Sequence, residues 1–401
     1  MKPFKSLIPL EEAEKTILEI TKPIKRTEEA PIEDALNRIL SEDLVANMDI
    51  PPFDRASMDG YAVIASDTFE ASRTKHIKLK VIGSVHAGET CKLQITKGDC
   101  TQIATGAMMP QGANAVVVIE ETDSDDTTVQ IFKPVHPNEN VSKKGEDIRT
   151  GTKVLKKGTQ LSPRHIGVGA ALGISKLRVF EKPKVAIIPT GNEICDIRGK
   201  LAEGQVYDIN SHTLMAIVLE NGGIPVKLDI IPDDRKKIET AIKKTLRYDL
   251  IVLSGGSSVG ERDYLVDVIT KLGEVKFHGV QIKPGKPTIC GAINGKVILG
   301  MPGYPTACLT NGYVFLAPLI RAMARLPEKS EKTVKCIMSQ RTTSTLGRHQ
   351  FLTVRLVDGK AVPVFKESGA ITSMADADGY VEIPANVDMI EKDEEVEVKL
   401  F

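Results

Sequence analysis

The chain has 401 residues, and its 53 lysines and arginines equal its 53 aspartates and glutamates, so the formal charge at neutral pH is zero. That length exceeds one ordinary core and implies two to four domains. Charge balance excludes a global field for nucleic acid or an anionic membrane, so an anionic ligand must be held by local groups. No apolar run approaches the roughly 20 residues that span a bilayer, and Met1-Lys2-Pro3-Phe4-Lys5 is not followed by an apolar stretch of signal-peptide type. The six cysteines, at 91, 100, 195, 290, 308 and 336, form no C-x-x-C pair. They read as buried small hydrophobes and reduced thiols of a cytoplasmic protein.

Leu10–Ile20 carries apolar residues at helical spacing, and residues 32–40 read the same way. The pattern changes at Pro51-Pro52. From 59 to 135, short β-rich runs (78–82, 115–120, 128–132) alternate with Gly, Pro and Asp turns, which predicts a small β domain. The acidic stretch 120–126 reads as a solvated hairpin turn. Residues 145–179 return to turns with one helical run, 164–172. An α/β segment follows, with strands expected near 185–189, 226–230, 249–253, 288–292 and 296–299. Helices are expected near 211–221, 234–246, 262–272 and 306–324. Short apolar strands with helices between them predict a mostly parallel sheet covered on both faces. From 332 to 401, β-rich runs and turns predict a C-terminal β domain.

The expected fold class is α/β plus β, a multi-domain chain with a central three-layer α/β domain, a small β domain and a C-terminal β domain. Residues 1–48 with 142–178 read as a discontinuous, helical and turn-rich N-terminal domain. The small β domain is 49–141, the α/β domain 179–327 and the C-terminal domain 328–401.

Three times an apolar strand-like run enters a glycine-rich polar loop: Pro189-Thr190-Gly191-Asn192-Glu193, Ser254-Gly255-Gly256-Ser257-Ser258-Val259-Gly260 and Gly300-Met301-Pro302-Gly303-Tyr304-Pro305-Thr306. In such sheets ligands bind beyond the carboxyl ends of the strands, where glycines admit close backbone approach, so three loops point at one mouth. Thr190 and Gly191 offer a hydroxyl and an amide to phosphate, and Glu193 offers a carboxylate to a cation. A plain strand-to-loop turn with Glu193 as a solvated cap is the competing reading. The second loop opens a helix whose free amides suit an oxyanion. Asp263 stands where it could hold Mg²⁺ against that anion or only stabilise the helix dipole.

Gly256-Ser257-Ser258-Val259-Gly260 is also a literal G-x-S-x-G. A hydrolase would need an acid and then a histidine after Ser258, and neither His278 nor His349 has the expected position, so this reading ranks last. Lys283-Pro284-Gly285-Lys286-Pro287 puts two ammonium groups, point charges suited to phosphate, on a proline-stiffened turn. A polar hairpin turn is the alternative. Upstream, 51–63 combines prolines, aromatics and aspartates, and Asp59-Gly60 reads as a turn. Thr105-Gly106-Ala107-Met108-Met109-Pro110 and Lys143-Lys144-Gly145-Glu146-Asp147 are similarly polar. Composition does not connect these three segments to the sheet domain.

Together the segments resemble the MoeA family, the molybdopterin molybdenumtransferases, related to the E domain of gephyrin. The matching segments, in the family's order, are 53–63, 105–110, 143–147, 189–193, 254–264, 283–287, 300–305 and 368–379. Asp54-Arg55-Ala56-Ser57-Met58-Asp59-Gly60-Tyr61-Ala62 is the most specific of them. The resemblance implies insertion of molybdate or tungstate into adenylylated molybdopterin, with a divalent cation, Mg²⁺, and release of AMP. It implies an elongated homodimer whose cleft lies between the sheet domain of one subunit and the β domain of the other. The pathway's molybdopterin adenylyltransferase is an expected partner; nucleic acid and membrane are not.

By the same resemblance Asp59, Thr105, Asp147, Glu193 and Asp263 are catalytic, with Glu193 and Asp263 holding the metal. Thr190, Gly191, Gly255, Gly256, Ser257, Ser258, Lys283, Lys286, Pro302, Gly303, Pro305 and Ser368 bind substrate. Lys143-Lys144 replaces a common arginine, Tyr304 a common asparagine, and Ala56-Ser57 inverts the usual order. The choice between molybdate and tungstate stays open. A non-catalytic scaffold on this fold, and an adenylyltransferase, are the alternative functions. The flanking domains and the Asp59 string argue against the adenylyltransferase.

Overall fold

Alternate residues of the strands Lys184–Pro189, Leu250–Ser254 and Lys296–Met301 separate onto two apolar faces, in a computed structural model that describes residues 7–125, 127–255, 264–364 and 371–401. Val185, Ile187, Val252 and Leu299 pack on one side with Leu214, Ile217, Phe315, Leu316 and Ile320. Ala186, Ile188, Ile251, Leu253 and Ile298 pack on the other with Ile238, Ile242, Leu265 and Ile269. Both faces are covered because a sheet strand alternates its side chains with period two. Each fully buried side chain of this kind stabilises by about 1.5–3 kcal/mol. The middle layer of the three-layer domain is therefore the apolar run expected of buried strands.

The sheet has six strands, ordered Ile224–Lys227, Lys184–Pro189, Leu250–Ser254, Lys296–Met301, Ile289–Ile293 and Glu274–His278. The first four run parallel, and Ile289–Ile293 pairs antiparallel with both of its neighbours. The edge strand Glu274–His278 escapes the sequence pattern because charged residues interrupt its apolar positions. The expected strand at 226–230 sits earlier, at Ile224–Lys227, with Pro225 tolerated on the other edge. The expected helix at 306–324 is interrupted. Pro305–Asn311 and Ala317–Met323 flank a wider π turn, Gly312–Leu316. Pro318 has no N–H to return to the preceding turn, and a Cβ on Gly312 would stand 2.3 Å from Ile217 Cδ1.

Contacts divide the chain into two compact units: one has residues up to 28, 37–39 and 180 onward, the other 29–36 and 40–179. The first unit also contains the C-terminal β domain. Its strands His349–Val357, Lys360–Pro363, Thr333–Met338, Glu395–Leu400 and Gly379–Ile383 close on themselves, since the last pairs with the first. Closure removes the open edges that a flat sheet would leave.

In the second unit a six-stranded sheet runs in the order Ala115–Val118, Gly60–Val63, Asp99–Ile103, Ile77–Val85, Thr128–Ile131 and Thr122–Ser124. The last two form the expected acidic hairpin. The helix expected at 164–172 is Pro163–Ala171, but 32–40 is only a single 3-10 turn, Ile32–Asp34. Asn37, at φ 61°, takes the left-handed conformation and ends any helical run there.

A carboxylate network ties the segment after the first helix to the base of the sheet. Arg26 Nη1 and Nη2 donate to Asp249 at 3.0 and 2.9 Å, and the Lys184 amide adds a third bond at 2.9 Å. Burial pushes the Asp249 carboxyl up, but these bonds outweigh it and hold it below the usual aspartate range. A folded value below the unfolded one gives stability that is present above the ordinary aspartate value, about 3.9, and lost as pH falls through the folded value. Asp249→Asn is expected to lower stability by about 1.5–3 kcal/mol at neutral pH. The gap to the parent should shrink in denaturant titrations below about pH 4; a constant gap would show that charge is not the cause.

Candidate active site

In the first unit the three glycine loops meet. Thr190 N and Oγ1 both donate to Ser254 O, at 2.9 and 3.3 Å. Gly255 N donates to Met301 O at 3.3 Å, and Gly191 N donates to Ile231 O at 3.2 Å. A Cβ on Gly255, at φ +90°, would stand 2.3 Å from Thr190 O, so only glycine lets these loops approach. The geometry corrects two expectations. Thr190 is 3% exposed, and its hydroxyl joins two strand ends instead of facing a ligand. Gly191 is buried too, with its amide committed to Ile231. Pro302 is buried at the base, Pro305 is half-buried, and Glu193 and Gly303 are exposed at the mouth.

Glu193 folds back over Gly191, its two carboxylate oxygens 2.8 and 2.9 Å from where a Gly191 Cβ would stand. Beside it, Asp233 N donates to Asn192 Oδ1 at 3.2 Å. Partial burial, and then the Glu193 charge, raise the Asp233 carboxyl above its usual range. Two carboxylates that repel in this way suit a hard cation, since Mg²⁺ is commonly held by one or two carboxylates plus substrate oxygens. Asp233 is a site candidate that the sequence does not single out, since it lies just before the expected helix at 234–246. The pairing of the 190–193 and 231–233 loops exposes it. Gly256, Ser257, Ser258, Asp263 and Ser368, expected at the site, lie outside the described residues.

The lysine turn is built from two directions. A Cβ on Gly285, at φ +113°, would stand 2.1 Å from Asn311 Oδ1, while Asn311 Nδ2 donates to Gly285 O at 3.2 Å. Asn311 ends the helix that begins at Pro305, so one helix connects the Pro-Gly-Tyr-Pro loop to the lysine turn. On the other side, Ile282–Lys283 adds parallel to His349 and Gln350 of the C-terminal barrel, and Lys283 Nζ donates to Thr345 Oγ1 at 3.2 Å. Lys286 O accepts from Val280 and Thr288, both at 3.0 Å. The turn is thus held from several sides, and is not a free hairpin.

In the second unit the three upstream motifs also converge. Asp59 Oδ1 accepts from Thr105 N at 2.7 Å and from Thr105 Oγ1 at 2.9 Å, in that order the bonds that keep its carboxyl below the usual range. Ala56 exchanges backbone bonds with Ala107 and Gly106 at 3.0 and 2.8 Å. Asp147 N and Gly145 N donate to Ile50 O and Pro51 O at 3.0 and 2.9 Å. Asp54 takes the Lys143 ammonium and the Lys144 amide, each at 2.8 Å. Burial raises the Asp54 carboxyl, and these bonds outweigh it, leaving it low. Gly60 is not the turn expected of Asp59-Gly60. It opens a strand, and a Cβ there would stand 1.9 Å from Val117 O.

Three family models match the chain: "MoeA N-terminal region (domain I and II)" over 8–173, "Probable molybdopterin binding domain" over 186–322 and "MoeA C-terminal region (domain IV)" over 335–401. A molybdopterin biosynthesis protein of Methanocaldococcus jannaschii is 40% identical over 100% of both chains. The chain belongs to the MoeA family. The molybdopterin molybdenumtransferase of Staphylococcus aureus is 34% identical over 88% of this chain and 86% of its own. The crystal structure of a Pyrococcus horikosii molybdopterin biosynthesis moea protein superposes with TM-score 0.85 at 44% identity, covering 98% of this chain and 99% of that one. With the MoeA family come its class, a transferase, and a role in molybdenum cofactor biosynthesis. No helix among the described residues is long and apolar enough to cross a membrane.

Proposed function

We propose that this MoeA-family chain inserts molybdate or tungstate into adenylylated molybdopterin and releases AMP. The observation that carries the reading is the convergence of the three glycine loops with the Glu193–Asp233 carboxylate pair, in the region matched by the molybdopterin-binding model. Lys283 and Lys286 supply cationic charge for phosphate. Glu193 and Asp233, with Asp263, are the donors for Mg²⁺, which when bound neutralises charge on the phosphoanhydride. Phosphoryl transfer of this kind is governed by positioning and electrostatics, so neither Ser257 nor Ser258 is needed as a nucleophile. The buried ties at Thr190 and Gly255 keep the loops from reorganising as the substrate binds.

Asp59, Thr105 and Asp147 are assigned to the oxyanion end of the site, contributed by the second subunit of a homodimer. The pathway's adenylyltransferase would deliver the substrate. The deciding assay supplies adenylylated molybdopterin with Mg²⁺ and compares AMP release with and without molybdate or tungstate. Release that rises with the oxyanion is expected, and release indifferent to it would sink the reading.

A further inference from the structure

We infer that Tyr304 is a stacking platform for a planar nitrogen heterocycle of the substrate. This rests on the reading above, in which the substrate carries two such rings, an adenine and a pterin. Tyr304 stands at the rim of the loop mouth, and its side chain is among the most exposed large hydrophobics of the chain, at 65%. An exposed ring is common on protein surfaces; this one differs in how firmly its backbone is held. On one side Asn210 Nδ2 donates to Gly303 O at 2.8 Å. On the other, Pro305 begins the helix Pro305–Asn311, and Tyr304 O accepts from Cys308 N at 2.9 Å. Tyr304 itself is extended, at φ −68° and ψ 131°.

Asn210 is anchored in turn. Asp208, 3% exposed, accepts from Ser211 N at 3.0 Å and from the Ser211 hydroxyl, and pairs with Lys227 at 3.1 Å. The ring is therefore carried on a stiff mount. A Cβ on Gly303 would lie 3.9 Å from Gly255 Cα, so the mount adjoins the second glycine loop. With the backbone held in this way, only the two side-chain torsions of the tyrosine remain to be ordered when a flat ligand covers its ring. Stacking on an aromatic side chain tolerates different rings, because each has a π face.

Three proteins test the platform: the parent, Tyr304→Ala and Tyr304→Phe. In oxyanion-dependent AMP release, Tyr304→Ala is expected to raise KM for adenylylated molybdopterin between about 5-fold and about 150-fold while kcat holds. Stacking is felt equally by bound substrate and transition state, so it belongs to KM. Tyr304→Phe keeps the π face and should keep KM within about twofold of the parent. Equilibrium dialysis of AMP alone separates the two rings. Weaker AMP binding by Tyr304→Ala assigns the adenine; unchanged AMP binding with a raised KM assigns the pterin. A KM in Tyr304→Ala equal to the parent's, or one raised equally in Tyr304→Phe, overturns the platform. Absence of AMP release in the parent itself would instead overturn the proposed function, so the two failures are distinguishable.

Discussion

Co-expressed Glu193→Gln and Asp59→Asn chains are expected to recover AMP release that neither variant shows alone. Each substitution removes one charge and keeps the side chain's size. Glu193→Gln takes away half of the carboxylate pair at the mouth, where burial first and the Glu193 charge second raise the Asp233 carboxyl. Asp59→Asn removes the charge that the Thr105 amide and hydroxyl hold in place. Loss of a preorganised electrostatic group at a reacting centre lowers kcat by about 10²–10³, and both variants should stay folded, because both side chains are exposed.

Should one subunit supply Glu193 and the other Asp59, a mixed dimer carries one site with both residues intact and one with neither. Random pairing makes about half the dimers mixed, so about a quarter of parental activity should return. A site made within one chain would have a defect in every copy and recover nothing. That outcome would remove the shared cleft while leaving the reaction itself untouched.

Lys227→Met is expected to cost about 3–5 kcal/mol of stability, as truncating one partner of a buried ion pair does. The Asp208 side chain is 2% exposed and that of Lys227 18%. Burial pulls the Lys227 ammonium down, but its bonds to Asp208 and Asp196 outweigh it and keep it charged. His212 Nε2 adds an acceptor at 3.3 Å. With methionine at 227, Asp208 keeps only the Ser211 donors and loses its countercharge. Denaturant unfolding measures the loss, and Lys227→Arg should recover part of it. A loss below about 1 kcal/mol would mean that water reaches Asp208 and that the pair is a surface pair in effect. The variant also loosens Asn210, so KM should rise along with the lost stability.

Much of this molecule is legible locally. The strands at 184–189, 250–254 and 296–301 declare themselves because buried parallel strands are continuous apolar runs. The helix at 235–245 follows from its 3.6-residue pattern and the Asp234 cap, whose carboxylate accepts from Lys237 N at 2.9 Å. Less legible were elements whose pattern is mixed or whose conformation depends on contacts. The edge strand at 274–278 alternates charge with apolar residues. The segment at 32–40 has helical spacing but is stopped by one left-handed asparagine. The π turn at 312–316 answers to Pro318 and to the close approach of Ile217.

At the site the division is similar. Sequence alone determined the alternating α/β core, the two β-rich regions and the motif strings that carry the family resemblance, because periodicity and short motifs depend on near neighbours along the chain. Only the tertiary structure decided what those motifs do to one another. It turned Thr190 and Gly191 inward as ties, set Asp233 beside Glu193, closed the C-terminal strands into a barrel, and made Gly60 a point of backbone contact. Each of these depends on which distant segment fills the adjacent space, and that is settled by burial and hydrogen-bond satisfaction across the whole fold.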